Sequence, residues 1–345
     1  MTEEQPAYAA AGVDLDAADA AVAAIRPHVE RTHGPQVLDS IGGFGGLYRL
    51  DTRRFKRPVL VSATDGVGTK LEFARALGRH RSIGIDLVAM VVDDLVVTGA
   101  EPLFLLDYVA VGSLRPEHVE EVVAGIADGC EEAGCALVGG EIAEHPGVLA
   151  ADQYDVAGFA VGVVDERRIL GPHRVETGDA IVALGSSGLH ANGYSLVRRL
   201  VEGRDLDDDH GLLVHSLGEA LLRPTRIYAR DCLALAAHDP AGVHAYCHVT
   251  GGGIPGNLPR CLPDGLGAVV DTRTVEVPRI FRLLQGWGDV AEQEMWRVFN
   301  MGAGMLAVVA DAEATIAFLR GRGVDAWVCG EVQPTPGVRL LGVGA

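Results

Sequence analysis

The stretch PVLVSATDGVGTK (58 to 70) decides the reading of the fold. Pro58 to Thr64 is short, mainly apolar and β-branched, the composition of a strand. Asp65-Gly66-Val67-Gly68-Thr69-Lys70 ends it and opens a helix expected to run to about Arg79. The turn sets a carboxylate at a strand end, two glycines that let backbone N–H groups approach an anion, and a lysine at a helix N-terminus. That combination suits metal-bound phosphates. It lacks the Gly-Lys-Thr order and the four-residue gap of a Walker A loop, so no P-loop fold follows. A DG pair taken alone is better explained as an ordinary strand-to-helix turn.

On the N-terminal side, residues 14 to 31 read as a helix of acids and alanines, and Ile41 to Leu47 is too glycine-rich for either regular element. On the C-terminal side, residues 82 to 98 (SIGIDLVAMVVDDLVVT) are apolar almost all round, which predicts a helix buried between other elements although it carries Asp86, Asp93 and Asp94. A buried ionised carboxylate is normally paired or metal-bound, and Mg2+ is the economical partner for Asp94. Asp86 and Asp93 are two turns apart and share a face, whereas Asp94 points about 100° away. Caps or salt bridges to arginines account equally for Asp86 and Asp93.

A strand follows at 102 to 111, then a helix with Pro116 in its first turn and Gly134 as stop, then strands at 136 to 140 and 154 to 164. The order β-α-α-β-α-β-β predicts a sheet covered by helices on one face, an α+β domain of ferredoxin-like type. The boundary is expected near Gly171, dividing the chain into 1 to 170 and 171 to 345. The second part, also α+β, is read as strand 179 to 184, helix 193 to 201, helix 224 to 238, strands 243 to 249 and 266 to 271, helix 278 to 286, strand 303 to 310 and helix 311 to 321.

Three further segments carry candidate chemistry. Val138-Gly139-Gly140-Glu141 ends a strand with an acid, and Asp65, Asp94 and Glu141 together could hold hard cations while leaving sites for phosphate oxygens. Gly185 to Ser195 (GSSGLHANGYS) offers hydroxyls, an imidazole and an amide between a strand and a helix, groups for binding and proton transfer. His248-Val249-Thr250-Gly251-Gly252-Gly253 repeats the logic of strand, glycine nest and short helix, a common phosphate monoester site. Asn300 to Met305 reads equally as a site or as glycines that permit close packing.

Composition limits the partners. Acids outnumber bases 47 to 29, a net charge of −18, which repels a nucleic-acid backbone. The six cysteines show no zinc spacing and read as buried reduced thiols. No leader or apolar span is visible, which points to the cytoplasm and away from membranes. Lysine is scarce, only Lys56 and Lys70, so each is expected to have a specific role.

In order and over nearly the whole length, the chain resembles the phosphoribosylformylglycinamidine cyclo-ligases, also called aminoimidazole ribonucleotide synthetases. The resemblance lies in AGVDLD (11 to 16), GGFGGL (42 to 47), TDGVGTK (64 to 70), GIDLVAM (84 to 90), DLVVTGAEPLFLLDY (94 to 108), LVGGEIAE (137 to 144), YDVAGFAVGVV (154 to 164), LGSSGLHANGYSLVR (184 to 198), HVTGGG (248 to 253) and FNMGAGM (299 to 305). It implies that ATP phosphorylates the formyl oxygen of formylglycinamidine ribonucleotide and an amidine nitrogen closes an imidazole ring. It also implies a homodimer whose N-terminal sheets join into a barrel with ATP at the interface. On matched positions, ATP falls to Gly43, Gly45, Asp65, Gly66, Gly68, Thr69, Lys70 and Asp94. Mg2+ falls to Asp65, Asp94 and Glu141, and catalysis to His190, Asn192 and Lys70. The substrate falls to Ser187, His190, Asn192, His248, Thr250, Gly251 and Gly252. The chain departs from the family pattern at Asp93, where a small polar residue is common, at Glu141-Ile142 in place of a motif ending in threonine, and at Leu189 and Met301.

Relatives of similar architecture remain as alternatives. Selenophosphate synthesis requires an early Cys or Sec with a nearby Lys, yet no Cys precedes Cys130 and no Lys precedes Lys56. The hydrogenase-maturing relative ends in cysteine, whereas this chain ends in Ala345. Thiamine monophosphate kinase is disfavoured only by the second-half motifs, and a silent nucleotide-binding scaffold only by the intact acids.

Overall fold

The computed structural model describes residue 12 and residues 15–39, 41–211 and 215–343. Met1 to Ala11, Val13 and Asp14, which include half of AGVDLD (11 to 16), and the last two residues lie outside the described residues. The first part of the chain runs α1 (Leu15–Glu30), β1 (Pro58–Gly66), α2 (Leu71–Leu77), α3 (Arg81–Val96), β2 (Glu101–Val111), α4 (Pro116–Ala133), β3 (Ala136–Glu144) and β4 (Tyr154–Asp165). The strands form one sheet in the order β1-β4-β2-β3, with β4 antiparallel to β1 and β2, and β2 parallel to β3. Element order agrees with the sequence reading, but the ferredoxin-like label does not describe the connectivity. That arrangement places two consecutive strands between its helices. Here β3 and β4 come last, and β4 returns into the slot between β1 and β2.

α3 is apolar all round because it is enclosed on every side. Leu87 and Val91 lie against Gly158 of β4, where a Cβ would come within 3.2 Å of both side chains. Its other flank meets α4 at glycines, since a Cβ on Gly84 or Gly125 would overlap the neighbouring helix backbone. The helices thus cover one face of the sheet. The other is open, with Leu60, Tyr108 and Phe159 exposed on it.

The second part comprises β5 (Ala180–Gly185), α5 (Tyr194–Leu200), α6 (Leu217–Leu221), α7 (Ala229–Ala236), β6 (Val243–His248), α8 (Gly253–Asn257), β7 (Gly267–Asp271), α9 (Arg279–Gly288), α10 (Glu292–Val298), β8 (Ala303–Val309), α11 (Ala312–Gly321), β9 (Ala326–Gln333) and β10 (Gly337–Leu341). Its sheet has the order β10-β7-β9-β5-β8-β6, and β8, buried throughout, lies antiparallel between β5 and β6. β9 and β10 were not anticipated. The helix expected at 224 to 238 is confined to α7, for a specific reason. Thr225 donates its N–H (2.7 Å) and hydroxyl (2.6 Å) to Asp86, and Tyr228 donates its N–H to Asp93 (2.9 Å), so these groups are held by α3 in a run without regular structure. The two same-face acids of α3 therefore clamp the second domain. All six cysteines are buried and free of disulfides.

Candidate active site

The C-terminal end of β1, the end of α3 and the end of β6 meet between the two sheets. Asp65 closes β1, and its Oδ1 accepts the N–H of Gly66 at 2.7 Å. Burial raises its pKa, and neighbouring Asp94 adds to the rise against the opposing effects of Gly66 and His248. Asp94 Oδ1 accepts a hydrogen bond from His248 Nδ1 at 2.9 Å, and its side chain stays 39% exposed while that of His248 is nearly covered. Burial alone lowers the His248 pKa, yet the bond to Asp94 and the fields of Asp93 and Asp65 outweigh it, and the net shift is upward. His248 Nε2 is buried without a partner among the described residues. Two carboxylates in each other's field, both reaching solvent, fit the way Mg2+ is held, by one or two carboxylates plus phosphate oxygens and water. Among the described residues no cluster of three or more His, Cys, Asp or Glu side chains forms a complete metal site.

The second domain closes over these acids. Thr69 Oγ1 lies 3.3 Å from Ser195 Oγ and ties the first turn to the start of α5, just past the loop after β5. In that loop Ser187 Oγ donates to the Pro224 carbonyl (2.6 Å), and Ser187 N–H donates to His190 Nε2 (3.3 Å). An accepting Nε2 assigns the proton of the neutral ring to Nδ1, which is buried and unpartnered. Burial first, then His248 and Lys70, push the His190 pKa well below its ordinary value, so the ring is neutral. The residue holds φ at +62°, a left-handed conformation that is uncommon outside glycine. Asn192 Oδ1 would lie 3.5 Å from a Cβ on Gly251, which brings the two loops into contact. Asn257 Nδ2 donates to the carbonyls of Thr250 (3.3 Å), Gly251 (3.3 Å) and Gly253 (2.8 Å), folding the glycine turn around one amide. Gly252 sits at φ +101° within that turn.

The structure does not bring all the expected residues together. Lys70 lies under the cleft, not in it. Its fully buried Nζ reaches the Asp86 carboxylate (2.8 Å) and the carbonyls of His190 (2.9 Å) and Arg223 (2.8 Å), which occupies its three donors. Asp93, the departure that bore on the metal assignment, is turned away to the Tyr228 N–H. Glu141 lies on β3, three strands from β1, a separation of about 14 Å at ordinary strand spacing. With Gly43 and Gly45 it lines a second cavity of about 670 Å³ beneath α1.

Sequence reasoning passed over Asp107, which lines the same cavity. Asp65, Gly158, Asp107 and Gly140 form one cross-strand row. A Cβ on Gly140 would overlap the Asp107 carboxylate, and loss of solvent pushes that carboxyl up to about 7. The available signal was a lone acid in the apolar run PLFLLDYVAV (102 to 111).

The family described as AIR synthase related protein, N-terminal domain, matches residues 49–164, and its C-terminal domain matches residues 176–342. A phosphoribosylformylglycinamidine cyclo-ligase of Anaeromyxobacter sp. (strain Fw109-5) is 54% identical over 330 residues, 94% of this chain and 95% of its own. A solved thiamine-monophosphate kinase from Stenotrophomonas maltophilia K279a superposes with a TM-score of 0.70 at 20% identity, covering 94% of this chain and 97% of its own. The hydrogenase maturation protein HypE in complex with ATP gives 0.62 at 18% identity, covering 89% and 84%. At such identities the last two show a shared fold alone. Both family domains in order, together with half-identity to a cyclo-ligase over nearly its full length, establish that the chain belongs to the phosphoribosylformylglycinamidine cyclo-ligase family.

Proposed function

We propose that the chain uses ATP to cyclise formylglycinamidine ribonucleotide to aminoimidazole ribonucleotide, releasing ADP and phosphate, in purine biosynthesis. The observation that carries this is the 54% identity to a cyclo-ligase over 94% of the chain. The convergence of Asp65, Asp94, His248 and the His190 loop on one cleft supports it. The formyl oxygen attacks the terminal phosphorus of ATP, ADP leaves, and an amidine nitrogen then displaces the activated oxygen as phosphate and closes the ring. An amide oxygen departs poorly and phosphate departs readily, so the protein's work is positioning and charge stabilisation. Mg2+ held by Asp65 and Asp94 would neutralise the nucleotide phosphates.

In this reading the neutral His190 donates from Nδ1 and Asn192 offers its amide, both toward the substrate. The Thr250-Gly251-Gly252 turn presents backbone N–H groups to the ribosyl phosphate, with Ser187 holding the adjoining loop. Lys70 positions the site by holding the His190 carbonyl. The open face of the first sheet, where Leu60 is 62% exposed, supports a homodimer in which the two N-terminal sheets pair into a barrel. The Glu141 cavity, with Gly43, Gly45 and Asp107, then lies against the other copy, and the partner completes the nucleotide site. We keep the division into an ATP-binding, dimerising part (1 to 170) and a substrate-binding part (171 to 345). We also place the protein in the cytoplasm; among the described residues no helix is long and apolar enough to cross a membrane.

The kinase alternative rests on fold likeness at 20% identity and has no site observation in its favour. The test is phosphate release from ATP with and without formylglycinamidine ribonucleotide. Turnover that depends on that substrate is expected, and Asp94→Asn largely abolishes it with the fold intact, because an amide gives a metal one neutral oxygen. Substrate-independent turnover, or an active Asp94→Asn protein at ordinary Mg2+, rejects the reading or the assignment of Asp94.

A further inference from the structure

A cavity of about 1020 Å³ opens near the start of β1 and the end of β4. Seven residues of strand, roughly 23 Å at 3.3 Å per residue, separate Pro58 there from Asp65 at the candidate active site. Its walls come from both domains and the segment between them. Arg54 and Lys56 precede β1, Arg167, Arg168 and Arg174 follow β4, and Leu233 and Ala237 belong to the α7 region. Five lining cations face three acids, Glu101, Asp165 and Asp239, an excess of two positive charges in a chain of net charge −18.

The local contacts explain how this cluster is held. Asp165 accepts backbone N–H bonds from Lys56 (2.7 Å), Arg57 (3.1 Å) and Arg167 (3.3 Å), which lays the two cationic segments side by side. Arg174 Nη2 donates to the Arg167 carbonyl at 2.6 Å. Among the described residues the ion pairs of this region are Arg54 with Glu101 and Arg57 with Glu166. Lys56, Arg167 and Arg168 have none, and Lys56 is one of only two lysines in the chain.

We propose that this cavity binds a phosphate-bearing metabolite of the nucleoside phosphate class, with its phosphate on Lys56, Arg167 and Arg168 and its ring against Phe55, Leu233 and Val243. Guanidinium forks match phosphate oxygens, and lysine adds a compact charge. The volume lies near the upper end of small-molecule pockets, about 300–1,000 Å³, and the apolar wall gives a ring somewhere to lie.

Calorimetric titration of the full chain in Mg2+-free buffer, with AMP and separately with inorganic phosphate, tests this. AMP is expected to bind once per chain, phosphate more weakly at the same site, and added salt to weaken both. Arg167→Ala/Arg168→Ala is expected to lose at least about tenfold in AMP affinity, the loss of a charge-assisted hydrogen bond, while keeping wild-type turnover without AMP. Lys56→Gln should shift affinity in the same direction and serves if the double variant misfolds. Asp94→Asn should leave AMP binding intact. No heat at millimolar AMP, affinity unchanged in the arginine variant, or binding lost with Asp94→Asn overturns the proposal. The three results that overturn the proposal are binding measurements and do not depend on the cyclisation assay.

Discussion

Asp86, Asp93 and Asp94 share one helix and do three different jobs, which only their neighbours reveal. Asp86 pairs with Lys70 in full burial, and removing one member of such a pair strands the other charge. Lys70→Met is therefore expected to lose about 3–5 kcal/mol of stability in denaturant melts. The KM for ATP should stay near wild type in the folded fraction; a large rise in KM would return Lys70 to the phosphates. Asp93 is fully covered, and burial pushes its carboxyl from 3.8 to about 7. A folded-state pKa above the unfolded one means that the native state binds the extra proton, so stability falls as pH rises from about 4 to about 7. Asn cannot ionise yet still accepts the Tyr228 N–H. Asp93→Asn should therefore match wild type in acid and unfold at a higher temperature above pH 7, and coincident Tm curves across that range would contradict the assignment.

At the level of elements, the pair α3 and α4 depends on having no side chains where they cross. A Cβ on Gly84 would meet the backbone of Val122 and Ile126, and one on Gly125 the carbonyl of Arg81. Overpacking of this kind costs about 1–3 kcal/mol, and backbone cannot yield as a side-chain tip does. Gly84→Ala and Gly125→Ala are each expected at or above the top of that range, measured by chemical denaturation, whereas Gly286→Ala, inside α9 with open space at its Cβ, should stabilise by about 0.5–1 kcal/mol. The same helix shows what the sequence could reveal. Its all-round apolarity announced burial, and the Pro116 and Gly134 boundaries of α4 were local and therefore readable. β9 and β10 were not. Gly330 interrupts the first because the Val269 backbone approaches it closely, and the second is a five-residue edge strand. Residues 224 to 228 (PTRIY) have little helical preference of their own, and the N–H groups of Thr225 and Tyr228 go to acids more than 130 positions away.

The whole molecule sets Asp65 and Asp94 at one end of the sheet and Glu141 three strands away, so the convergence expected of three acids is met by two within a single chain. Motif spacing identified the loops, but strand order, which no motif carries, decided which of them meet. A homodimer reconciles the two observations only if the open sheet face is where copies join. Leu60 is a decisive probe because it is exposed in the single chain and a charge there leaves the monomer core untouched. The unaltered protein is expected to sediment at twice its 36.2 kDa chain mass, and Leu60→Arg to sediment at the single mass with an unchanged far-UV spectrum. Buried without a partner across a paired sheet, an arginine carries a desolvation penalty of several kcal/mol, enough to dissociate a dimer at micromolar concentration. Loss of substrate-dependent phosphate release in that monomer would mean that the Glu141 cavity serves a nucleotide held jointly with the other copy. A fully active Leu60→Arg monomer would confine the chemistry to Asp65, Asp94 and the loops above them.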